Sequence, residues 1–472
     1  MFTNRKRVFF TLFIQLNILL LSVIISVGFI DLRIISWSAF LILIWNISSW
    51  WYVTNKIFTP YVFFLLAIYI FHFGQIFVWS IFGFDNAMEY IAFTRISTDL
   101  LILASKFSLL GLVLFHLGAL LYLSVKKNIF IKKNKMFSIS ETNLKNIKIV
   151  GWIIFFLTII PTMVYDLTLI RASISGGYLF ARGSDVQSGL WSDMARLFKA
   201  SLIFLFVGYH KEQKKVKMLM NIIIVYSIIK MTLYGERGFE LIFIFILLWL
   251  HHTLVKPINA NFKNILKIFG LVILLTILMT FIVDIRTYSK SELDLLSFFN
   301  AAIHDNPLKQ QLAEFGSTIL TLGLAMDYIP ELMPHYNGKT YLYSLLTVFP
   351  NIGGFLTPIL ADIKTAIILQ RYYPGALGGS YLAELYMNFS WLGLVGSMLF
   401  GMAVASIDYK SYQAILKNKF IALVMYANLY TVLLWFVRSS FSEIPRKVEV
   451  IIILPFFLYL ILKSIGKRKS KI

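Results

Sequence analysis

The sequence predicts an all-α polytopic integral membrane protein with about twelve membrane-spanning helices. Of its 472 residues, 58% are hydrophobic and only 14% are charged, whereas soluble domains carry roughly 25% charged residues. Its apolar runs are about 20 residues long, which is the length that a helix needs to cross a bilayer and is too long for a barrel strand. Lysine is concentrated in alternate loops, as in multi-pass membrane proteins.

The composition also excludes several classes of protein. The chain has no cysteine, so disulfides, thiolate metal sites and cysteine nucleophiles are excluded. Intrinsic disorder is excluded because it requires low hydrophobicity. A net charge of +21 is typical of proteins that bind nucleic acid, but the distribution of the charge explains it without a nucleic-acid partner.

The expected spans follow one another along the whole chain. The first begins directly after Asn4-Arg5-Lys6-Arg7. We expect a retained helix and not a signal peptide, because the run has full membrane length and no small-residue cleavage site follows it. No linker or repeat divides the chain, so a single transmembrane domain is expected over residues 1–472. The apolar runs lie near residues 8–30, 34–54, 60–82, 98–124, 147–169, 195–209, 217–234, 238–254, 265–285, 379–405, 419–437 and 448–463.

The distribution of lysine predicts the orientation. With both termini in the cytoplasm, the cytoplasmic segments hold 26 Lys and Arg residues against three acidic residues, and the rest of the chain is nearly neutral. The net charge is therefore a topology signal, because cytoplasmic loops accumulate basic residues. These segments are 1–7, 55–59, 125–148, 210–217, 255–267, 408–419 and 463–472.

Arginine has the opposite distribution. Only Arg5, Arg7 and Arg468 lie in the cytoplasmic segments. A guanidinium presents a planar fork of donors that suits phosphate or carboxylate, so the other arginines are candidates for binding an anionic substrate outside the membrane. Pairing with lipid headgroups or acidic side chains is the alternative. The outer arginines are Arg33, Arg95, Arg171, Arg182, Arg196, Arg237, Arg286, Arg371, Arg438 and Arg446.

Two outer segments are long enough to be functional loops. The segment 286–378 contains an expected amphipathic helix over Leu308–Met326 and an apolar stretch over Tyr341–Gln370 that prolines and glycines interrupt. Because irregular backbone is not tolerated in lipid, we expect a partly helical cap that lines a cavity. The segment 170–194 is expected to be a flexible, glycine-containing basic loop.

A third outer feature is the tight turn Gly235-Glu236-Arg237-Gly238 between two expected spans. It brings Glu236 and Arg237 to the N-terminus of a helix, where the helix dipole also favours an anion. An ordinary capped helix hairpin is the alternative interpretation.

Three motifs in the second half of the chain resemble a known family. Gly-x-Arg-Gly lies in Leu233-Tyr-Gly-Glu-Arg-Gly-Phe-Glu240, and Gly-Ser-x-x-Ala-Glu-x-Tyr-x-Asn-Phe lies in the segment from Arg371 to Gly393. Between them stands Tyr341-Leu-Tyr-Ser-Leu-Leu-Thr-Val-Phe-Pro350-Asn. These segments are similar to those of the Wzy-type oligosaccharide repeat unit polymerases of bacterial O-antigen and capsule assembly. Ser390 stands where that family's pattern has glycine.

The resemblance implies a reaction, a fold and partners. Members of the family lie in the bacterial cytoplasmic membrane and join polyprenyl-diphosphate-linked oligosaccharide repeat units on its outer face. The growing glycan is transferred onto the nonreducing end of a new unit, and polyprenyl diphosphate is released. The fold is similar to the ligase-like branch of the GT-C glycosyltransferases, and the reaction is expected to be inverting and to use no metal or other cofactor. Membrane lipids, a chain-length regulator and a flippase are further expected partners.

The motifs and charges together indicate the site residues. Cations placed at the departing diphosphate lower the barrier, and Arg237 and Arg371 are assigned this catalytic role. Glu384 is the third expected catalytic residue. Glu384 lies one turn before Asn388 on the same helix face. The residues expected to bind diphosphate or glycan are Arg171, Arg182, Arg286, Arg438, Glu236 and Asn388.

The role of Glu384 has two interpretations. It can accept the proton of the acceptor hydroxyl as a general base, or it can pair with an arginine and orient it. His304 and His335 in the long outer segment are alternative bases.

Three lysines, Lys106, Lys199 and Lys230, lie within expected spans, where charges are costly and often functional. Lys199 and Lys230 lie near outer helix ends and can extend to the membrane surface, whereas Lys106 is deeper and is expected to form a structural pair or to act directly. His72 and Gln75 are expected to form hydrogen bonds between helices.

Two other functions remain open. An O-antigen ligase shares the fold and the outer arginines. A lipid-linked oligosaccharide flippase has a similar number of helices, but no repeated half is visible in the sequence and the broken-helix signals lie in one outer segment.

Overall fold

The computed structural model describes residues 5–28, 30–83, 91–126, 141–183, 189–257, 306–349, 351, 355–360 and 362–469. Every regular element in this part of the chain is helical, so backbone donors and acceptors are paired within each segment, as a bilayer requires. Short 3₁₀ turns cover Leu345–Val348, Ser390–Leu392 and Phe441–Glu443. The α-helices are α1 (Arg5–Val27), α2 (Leu32–Thr54), α3 (Pro60–Phe82), α4 (Ile91–Arg95), α5 (Thr98–Val125), α6 (Glu141–Gly183), α7 (Leu190–Gly208), α8 (Gln213–Tyr234), α9 (Gly238–Leu254), α10 (Pro307–Gly316), α11 (Ile319–Tyr328), α12 (Lys339–Ser344), α13 (Thr357–Leu360), α14 (Thr365–Leu369), α15 (Tyr381–Phe389), α16 (Gly393–Leu416), α17 (Phe420–Phe436), α18 (Ile444–Val448) and α19 (Leu454–Lys469).

Many of these helices are long and apolar enough to cross a membrane. Among the described residues, eight helical segments meet that condition, and α9 and α17 are apolar but shorter. Every expected run other than the one near 265–285 coincides with a described helix; that run lies outside the described residues. The all-α polytopic character is therefore confirmed. The eight segments are Arg5–Val27, Leu32–Thr54, Pro60–Phe82, Thr98–Val125, Asn143–Gly177, Gln213–Tyr234, Tyr381–Leu416 and Phe441–Ile465.

A π-helical turn interrupts the last of these segments. It covers Glu449–Ile453, between α18 and α19, and the N–H of Leu454 donates to the carbonyl of Glu449. Such turns are rare and are frequent at functional sites.

Helix α6 differs from the sequence prediction at its C-terminal end. The segment expected to be a loop from residue 170 is instead helical as far as Gly183, with one break at Gly177, whose φ is +81°. Two contacts align α6 with α8: Lys148 Nζ lies 2.5 Å from Glu212 Oε1 before α8 begins, and the Ser173 hydroxyl donates to Tyr234 O at its end, at 3.0 Å.

The chain packs as two units. Unit 1 consists of Met1–Met136, Leu312–Gln413 and Leu433–Arg446. Unit 2 consists of Phe137–Gln311, Ala414–Val432 and Lys447–Ile472.

Unit 1 is built around α5, which packs closely on α16. A Cβ added to Gly401 would lie 1.8 Å from Phe115 O, and one added to Gly118 would lie 2.0 Å from Met398 O. The two helix backbones therefore touch, which is the usual role of small residues at helix crossings in membranes. Lys106 on α5 donates to Gly28 O at 2.8 Å, so it has the structural partner that was one of its two expected roles.

The expected helix over Leu308–Met326 is divided into α10 and α11 by Ser317 and Thr318. Leu308 is exposed, but every residue from Ile319 to Met326 is buried. Helix α11 is therefore part of the core of unit 1 and is not an amphipathic surface helix, because a helix that is apolar on all sides must be buried.

Unit 2 is built on the packing of α6 against α7. Gly151 on α6 admits Phe204 and Leu205 of α7, since a Cβ at this position would lie within about 3.1 Å of both side chains. Phe204 and Phe206 are fully buried. This packing places one face of α7 toward α9.

Candidate functional site

In unit 1, a capped helix carries the Glu384 motif. The Ser380 hydroxyl accepts a hydrogen bond from Ala383 N at 3.2 Å and thereby caps α15. His72 Nδ1 lies 3.0 Å from Ile68 O and His72 Nε2 lies 2.9 Å from Ser380 Oγ. His72 thus joins α3 to the start of α15, as expected for an interhelical partner.

Glu384 is fully buried and both of its carboxylate oxygens are occupied. Oε1 accepts from the Thr340 hydroxyl at 3.0 Å, and Oε2 accepts from Phe441 N at 2.7 Å. Neither of these partners is an arginine. The carboxylate therefore holds the segments that contain Thr340 and Phe441 against α15. Neither interpretation from the sequence included this role.

Asn388 completes the same cluster one turn later. Its Nδ2 donates to Thr340 Oγ1 at 2.7 Å and to Glu384 O at 2.8 Å, and its Oδ1 accepts from Gly338 N at 3.0 Å. Thr340 is the shared partner of both motif residues. The spacing of Glu384 and Asn388 thus holds the turn before α12 in place.

Six buried hydroxyls in unit 1 have no hydrogen-bond partner among the described residues: those of Tyr69, Ser108, Tyr341, Thr365, Ser439 and Ser442. Burial and the nearby Glu384 carboxylate raise the pKa of Tyr341 well above its usual value. Since buried polar groups are nearly always paired, these hydroxyls are available to a bound water or a polar ligand.

Arg438 lies against the glycines of the same motif. Its guanidinium carbon is 5.5 Å from the centre of the Phe71 ring, and a Cβ on Gly378 would lie 3.5 Å from its Nε. A Cβ on Gly379 would lie 2.5 Å from the Ser439 carbonyl carbon. Glycine at 379 is therefore required by the close approach of this backbone to the segment that carries Arg438.

Arg371 and His335 have weaker structural ties. Arg371 pairs with Asp362, and both side chains are about half exposed; Asp362 raises the pKa of Arg371. His335 Nδ1 lies 3.3 Å from Met387 O. Arg371 is thus an accessible cation, whereas His335 is tied to the end of α15.

In unit 2, Arg237 lies where the Gly-x-Arg-Gly motif predicts, in the turn between α8 and α9. Its side chain is only 5% exposed, and its Nη1 donates to Gln311 Oε1 at 2.8 Å. Gly235 closes α8 with a φ of +93°. Glu236 lies in the same turn.

The remaining expected cations are divided between described and undescribed parts of the chain. Arg171 lies on α6 and is exposed. Arg182 lies near the end of α6, but its side chain is outside the description. Arg286 and the alternative base His304 lie outside the described residues.

A buried chain of alternating charges follows Arg237. Glu240 Oε1 lies 2.7 Å from Lys199 Nζ and 3.3 Å from Lys230 Nζ, and Lys230 Nζ lies 2.8 Å from Asp166 Oδ1. Ser227 donates to Glu240 Oε2 at 3.0 Å. Lys199 and Lys230 are therefore paired with carboxylates inside unit 2 and do not extend to the membrane surface. Loss of Lys230 would leave the buried Asp166 carboxylate without its cation, and an uncompensated buried charge costs about 3–5 kcal/mol.

The same end of α9 borders a pocket in unit 2. It is open to solvent on one side, and the non-protein space within it and at its mouth is about 450 Å³. Three of its lining residues are cationic, namely Arg196, Lys199 and Lys447. The other lining residues are Ala200, Ile203, Phe239, Phe243, Asn428, Thr431, Val432 and Ile451.

The family model described as O-antigen polysaccharide polymerase Wzy matches residues 11–469. The chain belongs to this family. No curated protein and no solved structure matches it. Its function is therefore the polymerisation of O-antigen repeat units, and the resemblance that the three motifs indicated extends over nearly the whole chain.

One turn of the chain has the conformation expected where the family's pattern has glycine. Ser390, which replaces the expected glycine, has φ +53° and ψ −140°, a region that only glycine adopts without strain. The turn after Asn388 and Phe389 therefore keeps the conformation that a glycine would favour.

Lys447 is the cationic residue of the pocket that the sequence interpretation missed. It directly precedes the last expected span and belongs to no motif, so nothing distinguished it from the other basic residues outside the cytoplasmic segments. The available signal was its spacing: Lys447 and Ile451 are four residues apart and share a helix face.

Proposed function

We propose that the protein joins polyprenyl-diphosphate-linked oligosaccharide repeat units on the outer face of the bacterial cytoplasmic membrane. The observation that carries this proposal is the family match over residues 11–469. The long apolar helices support it, because a bundle of helices gives an isoprenoid chain an apolar path.

The proposed reaction is a glycosyl transfer with inversion. A hydroxyl oxygen at the nonreducing end of the new unit attacks the anomeric carbon of the growing glycan. The bond from that carbon to the diphosphate oxygen breaks, its electron pair leaves with polyprenyl diphosphate, and the hydroxyl proton passes to a base. Negative charge grows on the leaving oxygen, so fixed cations at that position lower the barrier without a metal.

Arg237 is the first candidate for this cation. It lies at the N-terminus of α9, where the helix dipole adds to its attraction for an anion, and its bond to Gln311 limits its rotamers. Further cations proposed for the diphosphate are Arg171, Arg182, Arg286, Arg371 and Arg438.

For Glu384, the geometry supports a positioning role more than a catalytic one. Both oxygens already accept hydrogen bonds within the chain, so the side chain would have to release Thr340 or Phe441 before it could accept a substrate proton. Glu236 and Asn388 remain proposed binding residues.

The experiment that tests the function is deletion of the gene in its own host, followed by electrophoresis of the glycans. We expect the surface glycan to carry a single repeat unit, because units are still made and attached but are not joined. Long chains that remain unattached would instead identify a ligase, and loss of all outer-face units would identify a flippase.

Arg237→Lys tests the cation assignment. We expect loss of the polymer ladder at normal protein levels, because a point charge cannot reproduce the bidentate guanidinium fork. Arg33→Lys, the same change at an exposed arginine outside the motifs, should leave the ladder unchanged. A normal ladder in Arg237→Lys would refute the assignment.

The stereochemistry and metal requirement are tested with purified protein and lipid-linked repeat units. We expect synthesis to continue in excess chelator. The new linkage should have the anomeric configuration opposite to that of the donor, as read by nuclear magnetic resonance. Retention of configuration would contradict the proposed single displacement.

A further inference from the structure

The pocket of unit 2 is formed by one face from each of four helical segments. Helix α7 contributes residues at positions i, i+3, i+4 and i+7, from Arg196 to Ile203. Helix α9 contributes Phe239 and Phe243, one turn apart, and α17 contributes Asn428, Thr431 and Val432. The last segment contributes Lys447 and Ile451, on either side of the start of the π-helical turn.

The lining is amphipathic in composition. Its three charged residues are all cations, and none of the described residues that line it carries a carboxylate. Lys447 Nζ lies 4.4 Å from the centre of the Phe239 ring, and Lys199 Nζ lies 5.8 Å from it. The apolar part consists of Ile203, Phe243, Val432 and Ile451. A ligand that matches both parts has an anionic group attached to an apolar chain.

The cations of the pocket are held in place by their neighbours. Arg196 pairs with Asp193 at 2.8 Å, and Lys199 pairs with the buried Glu240 at 2.7 Å. Lys447 is only 4% exposed. Side chains whose rotamers are already limited lose little entropy when a ligand binds, which favours affinity.

The pocket lies at one end of unit 2. It is near the beginning of α7 and α9 and toward the end of α17, whereas the lysine-rich segment from Lys211 to Lys217 follows the other end of α7. By the distribution of basic residues this segment is cytoplasmic. The pocket is thus at the level of the outer leaflet.

We propose that this pocket binds the phosphate group of a membrane lipid, with the apolar chain of the lipid against Ile203, Val432 and Ile451. The identity of the lipid as the polyprenyl carrier rests on the proposed function. The existence of the site rests on the four helix faces alone.

The test is binding of defined lipids to the purified full-length protein, measured by native mass spectrometry. The probes are a polyprenyl monophosphate, phosphatidylglycerol, and diacylglycerol as the lipid without phosphate. Lys447→Gln removes one cation, and Thr431→Phe fills the pocket from a half-buried position. Lys215→Gln is the matched control, because it makes the same change on α8 at a side chain that is 61% exposed.

We expect Lys447→Gln to bind the phosphate lipids about tenfold more weakly, as for loss of one charged contact, and Thr431→Phe to bind them more weakly still. Lys215→Gln should bind as the unaltered protein does, and diacylglycerol should not distinguish the variants. Wild-type affinity in both Lys447→Gln and Thr431→Phe would overturn the proposal. If Lys447→Gln does not fold, Thr431→Phe decides alone.

The two lipid sources give different results. Tighter binding of polyprenyl monophosphate than of phosphatidylglycerol would support the carrier, and the reverse order would support a phospholipid site and refute a carrier site. Failure of the proposed function is distinguishable: it would appear as an intact polymer in the deleted strain, whatever the pocket binds.

Discussion

At the scale of single residues, Thr340 is the contact on which the Glu384 cluster depends. Thr340→Val removes the hydroxyl that donates to Glu384 and accepts from Asn388. We expect it to lower the free energy of unfolding by about 1–3 kcal/mol, because buried polar groups lose their partner. The measurement is thermal unfolding of the purified protein.

Glu384→Gln separates the two roles of the carboxylate. If Glu384 positions α15, this variant keeps most of its elongation activity and loses stability, as Thr340→Val does. A variant that is stable but makes only single units would instead identify the general base. Thr168→Val is the control for Thr340→Val, because the Thr168 hydroxyl is exposed and bonds only within its own helix.

At Ser390 we expect a substitution that stabilises the protein. Its left-handed backbone costs about 1–3 kcal/mol, so Ser390→Gly should raise the melting temperature relative to Ser390→Ala. Both variants lose the same hydroxyl, and only glycine relieves the backbone. Equal melting temperatures for the two would show that φ +53° carries no strain at this position.

At the scale of elements, the crossing of α5 and α16 depends on Gly401. Gly401→Ala should separate the two backbones and destabilise unit 1 by about 1–3 kcal/mol, as overpacked cores do, because the added carbon would lie 1.8 Å from Phe115 O. Gly378→Ala is the control, since its added carbon makes an ordinary contact of 3.5 Å. The comparison is made by thermal unfolding, and equal effects would refute the close crossing.

The lengths of the apolar runs predicted the helices well. The glycine content gave a wrong prediction for the end of α6, and the periodicity of apolar residues gave a wrong prediction for α10 and α11. Glycines at 176 and 177 suggested a loop, yet only Gly177 leaves the helix, because glycine permits a break without enforcing one. The apolar pattern over Leu308–Met326 was continuous, and its division by Ser317 and Thr318 changed which residues face the core. Burial on all sides of α11 depends on partners that are distant in sequence.

The candidate site was predicted from sequence in part. The motifs identified Arg237, Glu384 and Asn388, and all three side chains are buried and hydrogen-bonded in the structure. They did not reveal that Glu384 and Asn388 share Thr340, since that contact joins residues 44 and 48 positions apart. Lys447 was missed for the same reason: the pocket exists only when four helix faces meet.

At the scale of the whole molecule, the absence of cysteine makes the predicted topology directly testable. Lys215→Cys and Tyr372→Cys each introduce a single thiol at an exposed residue. In cells with a permeabilised outer membrane and an intact cytoplasmic membrane, an impermeant maleimide should label Tyr372→Cys and not Lys215→Cys. Both should react after lysis, and the reverse pattern in intact cells would refute the orientation.

The π-helical turn at Glu449–Ile453 also determines on which side of the helix axis Lys447 lies. Each residue of an α-helix turns the chain by about 100°, and a π turn contains roughly one residue more than an α turn. Deleting one residue from this turn would restore α-helical geometry and rotate α18, with Lys447, by about 100° about the axis of α19. The side chain would then leave the pocket with its charge unaltered, so the angular position of Lys447 depends on a single extra residue.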